Sequence, residues 1–290
     1  MGTDATVLSG SDVELDYSLT GINATLAVEK GLAEADWYQC AVPRAAMRGL
    51  LERRDGPAIR DTILWFALIL GSAAATYLLR GSLWMLLPYA IYCTLYASTS
   101  DSRWHEAGHG TAFKTDWMNN VLYEIASFMV MRESTVWRWS HNRHHSDTII
   151  VGRDPEIAVP RPPDIKAIIM AFFNLKVAPK YFKRILLHCG GKMAAEEKTF
   201  IPESEFPKIY RRARVYVAIY ALVIGLSIYT RSLLPLLFIG LPNLFGTWLL
   251  VTYGLPPKPV DHPQGKDSEN KLRQSHDESG CQRSIHLPSC

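Results

Sequence analysis

The sequence predicts an all-α integral membrane protein, with four transmembrane helices in two hairpins and a cytoplasmic helical cap that carries clustered histidines. Three observations predict it. The apolar residues, 48% of 290, are ordinary in number but crowd into two blocks, 62–96 and 215–253. Each block divides at a short polar turn, Arg80-Gly81-Ser82 in the first and Thr230-Arg231-Ser232 in the second. Basic residues gather just outside the blocks and are sparse in the turns.

Residues 1–60 read as a cytoplasmic N-terminal region. Up to about Tyr38 the sequence is acidic and mixed, with no basic stretch leading into an apolar core, so it is not a secretory signal peptide. Spans follow at about 62–79 and 83–98, the latter containing Pro88, and at about 215–229 and 233–253, the last tolerating Pro235 and Pro242. Each approaches the roughly 20 residues that cross a bilayer core at about 1.5 Å per residue. Arg44, Arg48, Arg53, Arg54 and Arg60 precede the first span, and Lys208, Arg211, Arg212 and Arg214 precede the third. The turns carry Arg80 and Arg231 alone. By the positive-inside rule both termini and the central segment 99–214 face the cytoplasm. The sequon Asn23-Ala24-Thr25 then lies where it goes unused.

Within the central segment, the apolar runs 121–131 and 165–175 are too short to span and suit interfacial helices. Pro155, Pro160, Pro162 and Pro163 mark a loop between them. Beyond the membrane domain, 61–255, residues 256–290 are polar and aperiodic and read as a disordered tail.

A net charge of +3 with no long basic run excludes a nucleic-acid partner. Cys40, Cys93, Cys189, Cys281 and Cys290 are odd in number and lack a C-x-x-C pair. That fits a reducing compartment and excludes a zinc ribbon.

The chemistry concentrates in His105-Glu106-Ala107-Gly108-His109 and His141-Asn142-Arg143-His144-His145. On a helix, positions i and i+4 share a face, so His105 and His109 present two rings to one point and His141, His144 and His145 present three. Neutral imidazole is a ligand for iron, zinc and copper. His188, His262, His276 and His286 stand singly and read as solvated or hydrogen-bonded side chains. Taken literally, H-E-x-x-H is a zinc hydrolase signature, with Glu106 as the base that activates water. That reading leaves H-x-x-H-H unexplained, since a single zinc needs only one further protein ligand. More than four nitrogen donors suit two metal ions, and iron can activate dioxygen where zinc cannot. Trp104, Trp117, Trp137 and Trp139 flank the clusters as pocket walls or interfacial anchors. Asp147, Asp154 and Glu156 are available to orient the histidines or to form surface ion pairs.

In combination these features resemble the membrane fatty acid desaturase and hydroxylase superfamily, with its H-x(3,4)-H first box, H-x-x-H-H second box and H-x-x-H-H third box. The resemblance covers about 62–253. His105 and His109 match the first box, and His141, His144 and His145 match the second. It implies a non-haem di-iron centre, a fatty-acyl or other lipid-like substrate desaturated or hydroxylated with dioxygen, and a separate electron donor, a ferredoxin or small haem protein. The membrane it implies is the endoplasmic reticulum of a eukaryote or the inner membrane of a bacterium. Where the third box is expected, the chain reads Gly254-Leu255-Pro256-Pro257-Lys258-Pro259. Truncation or a changed reading frame after about Tyr253, and with it an incomplete site, is therefore the expectation from the sequence.

Overall fold

The computed structural model describes residues 15–34, 42–157, 159–160 and 162–254. The expected tail, with His262, His276 and His286, lies outside the described residues. Among those described, the regular structure is entirely helical.

Helices α1 (Ile22–Glu29) and α2 (Arg44–Leu50) lead into α3 (Asp55–Leu78), which begins seven residues before the apolar block. Asp55 explains the early start. Its carboxylate suits the positive end of the helix, and it accepts hydrogen bonds from the Thr115 backbone N–H (2.9 Å) and hydroxyl (2.7 Å). The turn after α3 has Gly81 at φ +91°, a conformation that glycine reaches without a Cβ clash. The Ser82 hydroxyl then caps the next helical turn by accepting from the Trp84 N–H.

From there the chain stays helical through α4 (Leu86–Thr94), a π-helical turn over Leu95–Thr99, and α5 (Ser100–Gly108). The π-turn leaves carbonyls without their usual partners. The Trp65 indole N–H donates to the Leu95 carbonyl at 3.2 Å, and the Ser100 hydroxyl donates to that of Tyr96. The first histidine pair is thereby carried on a direct continuation of an apolar helix packed against α3.

The expected interfacial segments are helices: α6 (Asp116–Met129) and, after α7 (Ser134–Ser146), α8 (Ile165–Phe172). Helix α9 (Val177–Cys189) packs against α10 (Phe206–Tyr229). Arg44–Leu78 and Glu203–Tyr229 are long and apolar enough to cross a membrane. Large apolar side chains such as Ile63, Leu70 and Leu78 on α3, and Leu222 and Ile228 on α10, stand exposed.

The segment expected as one fourth span is instead broken into α11 (Leu234–Phe238), α12 (Pro242–Phe245) and α13 (Trp248–Gly254). Pro235 and Pro242 each take the start of a helix, where a missing N–H costs nothing, and Gly240 at φ +103° turns the chain between them. Backbone groups freed at the breaks find partners on the preceding helices. The Tyr89 and Tyr92 hydroxyls donate to the Leu237 and Phe238 carbonyls at 3.1 and 2.6 Å, and the Leu250 N–H donates to the Ser98 hydroxyl at 3.0 Å.

Candidate metal centre

Helices α5 and α7 bring four of the five expected histidines together. One ring nitrogen from each of His105, His109, His141 and His145 lies within 4.8 Å of all the others. His109 Nε2 is 3.0 Å from His141 Nε2 and 3.3 Å from His145 Nε2, and the last two are 3.1 Å apart. Imidazole–metal bonds of about 2.1 Å put neighbouring donors about 3.0 Å apart at right angles and about 3.4 Å apart at tetrahedral angles. These three separations fall in that interval, so the His109, His141 and His145 nitrogens are spaced as ligands of one ion, with a His105 nitrogen within 4.8 Å of each.

His144 points elsewhere. Its Nδ1 lies 2.9 Å from both carboxylate oxygens of Asp154. Asp154 is buried and also accepts the backbone N–H groups of Ile149 and Glu156, each at 2.8 Å. Glu156 does for His141 what Asp154 does for His144. One carboxylate oxygen is 2.8 Å from His141 Nδ1 and the other accepts from the Ser140 hydroxyl at 2.8 Å. A carboxylate can only accept, so the hydrogen of the neutral ring sits on Nδ1 and the Nε2 lone pair faces the cluster. Asp147 is spent differently, pairing with Arg143 and Arg153.

Electrostatics favours the ligand form. Partial burial and then the neighbouring His141 hold His105 below its ordinary value, and the same causes hold His145 down. For His109, burial, His141, His105 and His145 together lower it to about 4. His105, His109 and His145 thus resist a positive charge and keep their lone pairs.

Aromatic rings support the cluster from the protein side. Trp137 stacks on His141 at 4.1 Å between centroids, and Trp104 and Tyr123 pack behind it, both buried. Trp139 is half-buried, whereas Trp117 is 62% exposed and lines an apolar groove between α3 and α6. Gly108 lets these layers close. A Cβ there would stand 2.9 Å from Tyr123 Cε2 and 3.2 Å from Trp137 Cζ3. Glu106 faces away, lining a cleft with Arg54, Asp61 and Arg103 that none of the histidines lines.

Sequence reasoning missed two features. Gly108 has a requirement visible only once its neighbours are placed. His188, read as a solvated or hydrogen-bonded side chain, is hydrogen-bonded, but it is fully buried and its partners, Glu133 and Glu197, went unrecognised. No spacing rule links positions so far apart in the chain.

The fatty acid desaturase family model matches residues 82–281. The omega-6 fatty acid desaturase, endoplasmic reticulum isozyme 1, of Glycine max is 28% identical over 208 residues, covering 67% of this chain and 51% of the relative. The chain thus spans about half the length of that curated relative. No solved structure matches it. With both histidine boxes inside the matched region, the chain belongs to the fatty acid desaturase family.

Proposed function

We propose that this protein is a membrane-bound non-haem di-iron oxidoreductase that uses dioxygen to desaturate or hydroxylate a fatty-acyl or other lipid-like chain. One observation carries the reading: four imidazole nitrogens converge within 4.8 Å, two of them carried on the extension of an apolar helix, in a member of the fatty acid desaturase family. His105, His109, His141 and His145 would hold one ion. His144, its ring 5.6 Å from that of His141 and steadied by Asp154, would begin the ligand set of a second.

Iron bound there supplies the activation of dioxygen that removing hydrogen from an unactivated methylene demands. The chain's own residues do the rest. Glu156 and Asp154 hold ring hydrogens on Nδ1, and Trp104, Trp137 and Tyr123 exclude water from the inner side. The exposed edges of His105, His109 and His145 leave the other side open to substrate and reductant.

In the arrangement we propose, α3 with the helical segment 83–99, and α10 with the broken segment 234–254, form two membrane hairpins. Both termini and the histidines then face the cytoplasm, by the positive-inside rule. Electrons come from a separate ferredoxin or small haem protein. Zinc hydrolysis has no comparable support, because a base must stand beside the metal-bound water and Glu106 lines a different cleft.

The test is metal identity and stoichiometry on purified protein, with product formation from an acyl lipid measured with and without oxygen and reductant. Two irons per chain and oxygen-dependent product are expected. One zinc with oxygen-independent activity overturns the proposal in favour of a hydrolase. Substoichiometric metal, unchanged by adding iron anaerobically, overturns it in favour of an incomplete, inactive site.

A further inference from the structure

We infer that His188 is a positioning residue for the metal centre: clamped between Glu133 and Glu197, it fixes the start of α7 and so the approach of His141 and His145 to His105 and His109. The inference rests on the reading of those four histidines as metal ligands.

The contacts define the charge state. His188 Nδ1 lies 2.5 Å from Glu133 Oε2 and Nε2 lies 2.8 Å from Glu197 Oε2. His188 is 0% exposed, and both glutamates are buried. Ionised carboxylates only accept hydrogen bonds, so both ring nitrogens carry hydrogen and the ring is an imidazolium. The far oxygen of Glu197 pairs with Arg184 at 2.7 Å. Two cations therefore face two anions, and the buried cluster is neutral. His188 also occupies the last turn of α9, the end of a helix that favours a cation. The ring stands between the two carboxylates, so they cannot converge on one ion, and the cluster is not a second metal site.

What the clamp holds is the origin of α7. The Glu133 carbonyl accepts the Trp137 N–H at 2.9 Å, which makes Glu133 the residue on which that helix starts. Its neighbour Arg132 pairs with Asp101 of α5 at 2.9 Å and lies over the Trp104 ring. Two adjacent residues of opposite charge thus tie one point of the chain to the helix of the first histidine box and to α9. From Glu133, His141 is eight residues along, about 12 Å at about 1.5 Å per residue, with Trp137 stacked on it in between. A shift or rotation at the helix start is carried to the ligands by that rigid length.

Cobalt(II) titrated anaerobically into the full chain in detergent tests this, read by affinity and by the visible spectrum of the bound ion. His188→Gln, which lacks the positive charge and the two opposed N–H groups of the imidazolium, should weaken cobalt binding roughly 2- to 30-fold and shift the visible bands. Ile69→Ala on α3, chosen as a destabilised control remote from the clamp, should lower the melting temperature and leave affinity and spectrum unchanged. Wild-type affinity and spectrum in His188→Gln overturn the inference, as does an equal change in the control. Should His188→Gln fail to fold, Glu133→Gln must give a spectral shift in the same sense, and a wild-type spectrum there overturns it. Failure of the wild type itself to bind cobalt overturns the metal-centre reading and the inference with it, an outcome distinct from the others.

Discussion

Histidines lie at both ends of α7, and their neighbours give them different charge states. At the C-terminal end of the helix His105, His109, His141 and His145 face one another, and burial together with mutual repulsion keeps at least His105, His109 and His145 from taking up protons. At its N-terminal end His188 faces Glu133 and Glu197. Burial opposes its charge, but the two carboxylates outweigh burial and raise it to about 9. The difference teaches that a histidine's chemistry is set by what surrounds it. A ring among rings is a lone-pair donor, and a ring among carboxylates is a cation that fastens helices together.

The strongest way to break the comparison is to remove a ring from the crowded end. His141→Ala takes away a nitrogen within about 3 Å of two other donors, together with the ring on which Trp137 stacks. The expected loss of cobalt or iron affinity exceeds the roughly 100-fold ceiling for losing an outer hydrogen-bond partner. Metal content after dialysis measures it, and near-wild-type occupancy would show that the four rings are not a ligand set.

The opposite end is broken by raising the pH. Because His188 is raised from 6.5 to about 9, its contribution to stability is fully present below about pH 6.5 and is lost as pH rises through about 9. Glu197 is lowered, so its contribution is present above about 4.5 and is lost as pH falls further. Burial raises Glu133, which shares the short contact with His188, and Arg184 stays charged throughout. The alkaline loss should be about 3.5 kcal/mol at most, from roughly 1.4 kcal/mol per pK unit. Melting temperatures of wild type and His188→Gln, followed from pH 5 to about pH 10, should differ most at the acid end and converge at the alkaline end. A gap that is constant across that range would show that His188 is not the titrating clamp.

These two ends were not equally legible in the sequence. The spacings His105–His109 and His141–His145 announce themselves, because helical periodicity is local and four residues make one face. His144 shares that spacing yet turns to Asp154, since a rotamer and a loop carboxylate decide it. The clamp joins Glu133, His188 and Glu197 from three separate elements, so no window of sequence contains it. The fold divides in the same way. The apolar blocks and the turns at Gly81 and Arg231 are local signals, whereas the breaks at Pro235 and Pro242 depend on Tyr89, Tyr92 and Ser98 being close enough to receive the freed backbone groups.

At the crowded end, Glu156→Gln sharpens the account of how a ring is directed. The amide preserves size, but it can present its NH2 to His141 and it lacks the charge that favours hydrogen on Nδ1. Metal affinity should fall about 10- to 100-fold, equivalent to about 1.4 to 2.7 kcal/mol, with no loss of the clamp's pH response. Equal affinity in the amide variant would mean that the tautomer of His141 is set by the metal alone.

The smallest expected effect separates packing from charge. Gly108→Ala places a methyl against the edges of Tyr123 and Trp137, the layer between α5 and α7. The nearest atoms are the far ends of aromatic rings, which can yield a few tenths of an ångström. The gain in helix propensity at Gly108 offsets part of the crowding, since alanine is favoured over glycine by about 1 kcal/mol. Overpacking costs about 1–3 kcal/mol, so the net loss of stability should be about 1 kcal/mol. The metal should report more sharply than the melt, because the added methyl presses on Tyr123 of α6 and on Trp137 of α7, the ring stacked on His141, while His188 and its glutamates are untouched. A cobalt spectrum altered at nearly unchanged stability would show that the four rings are held to a distance set by a missing Cβ. An unaltered spectrum would mean that the rings find their geometry whatever the helices do, and that the clamp at Glu133 matters less than its burial suggests.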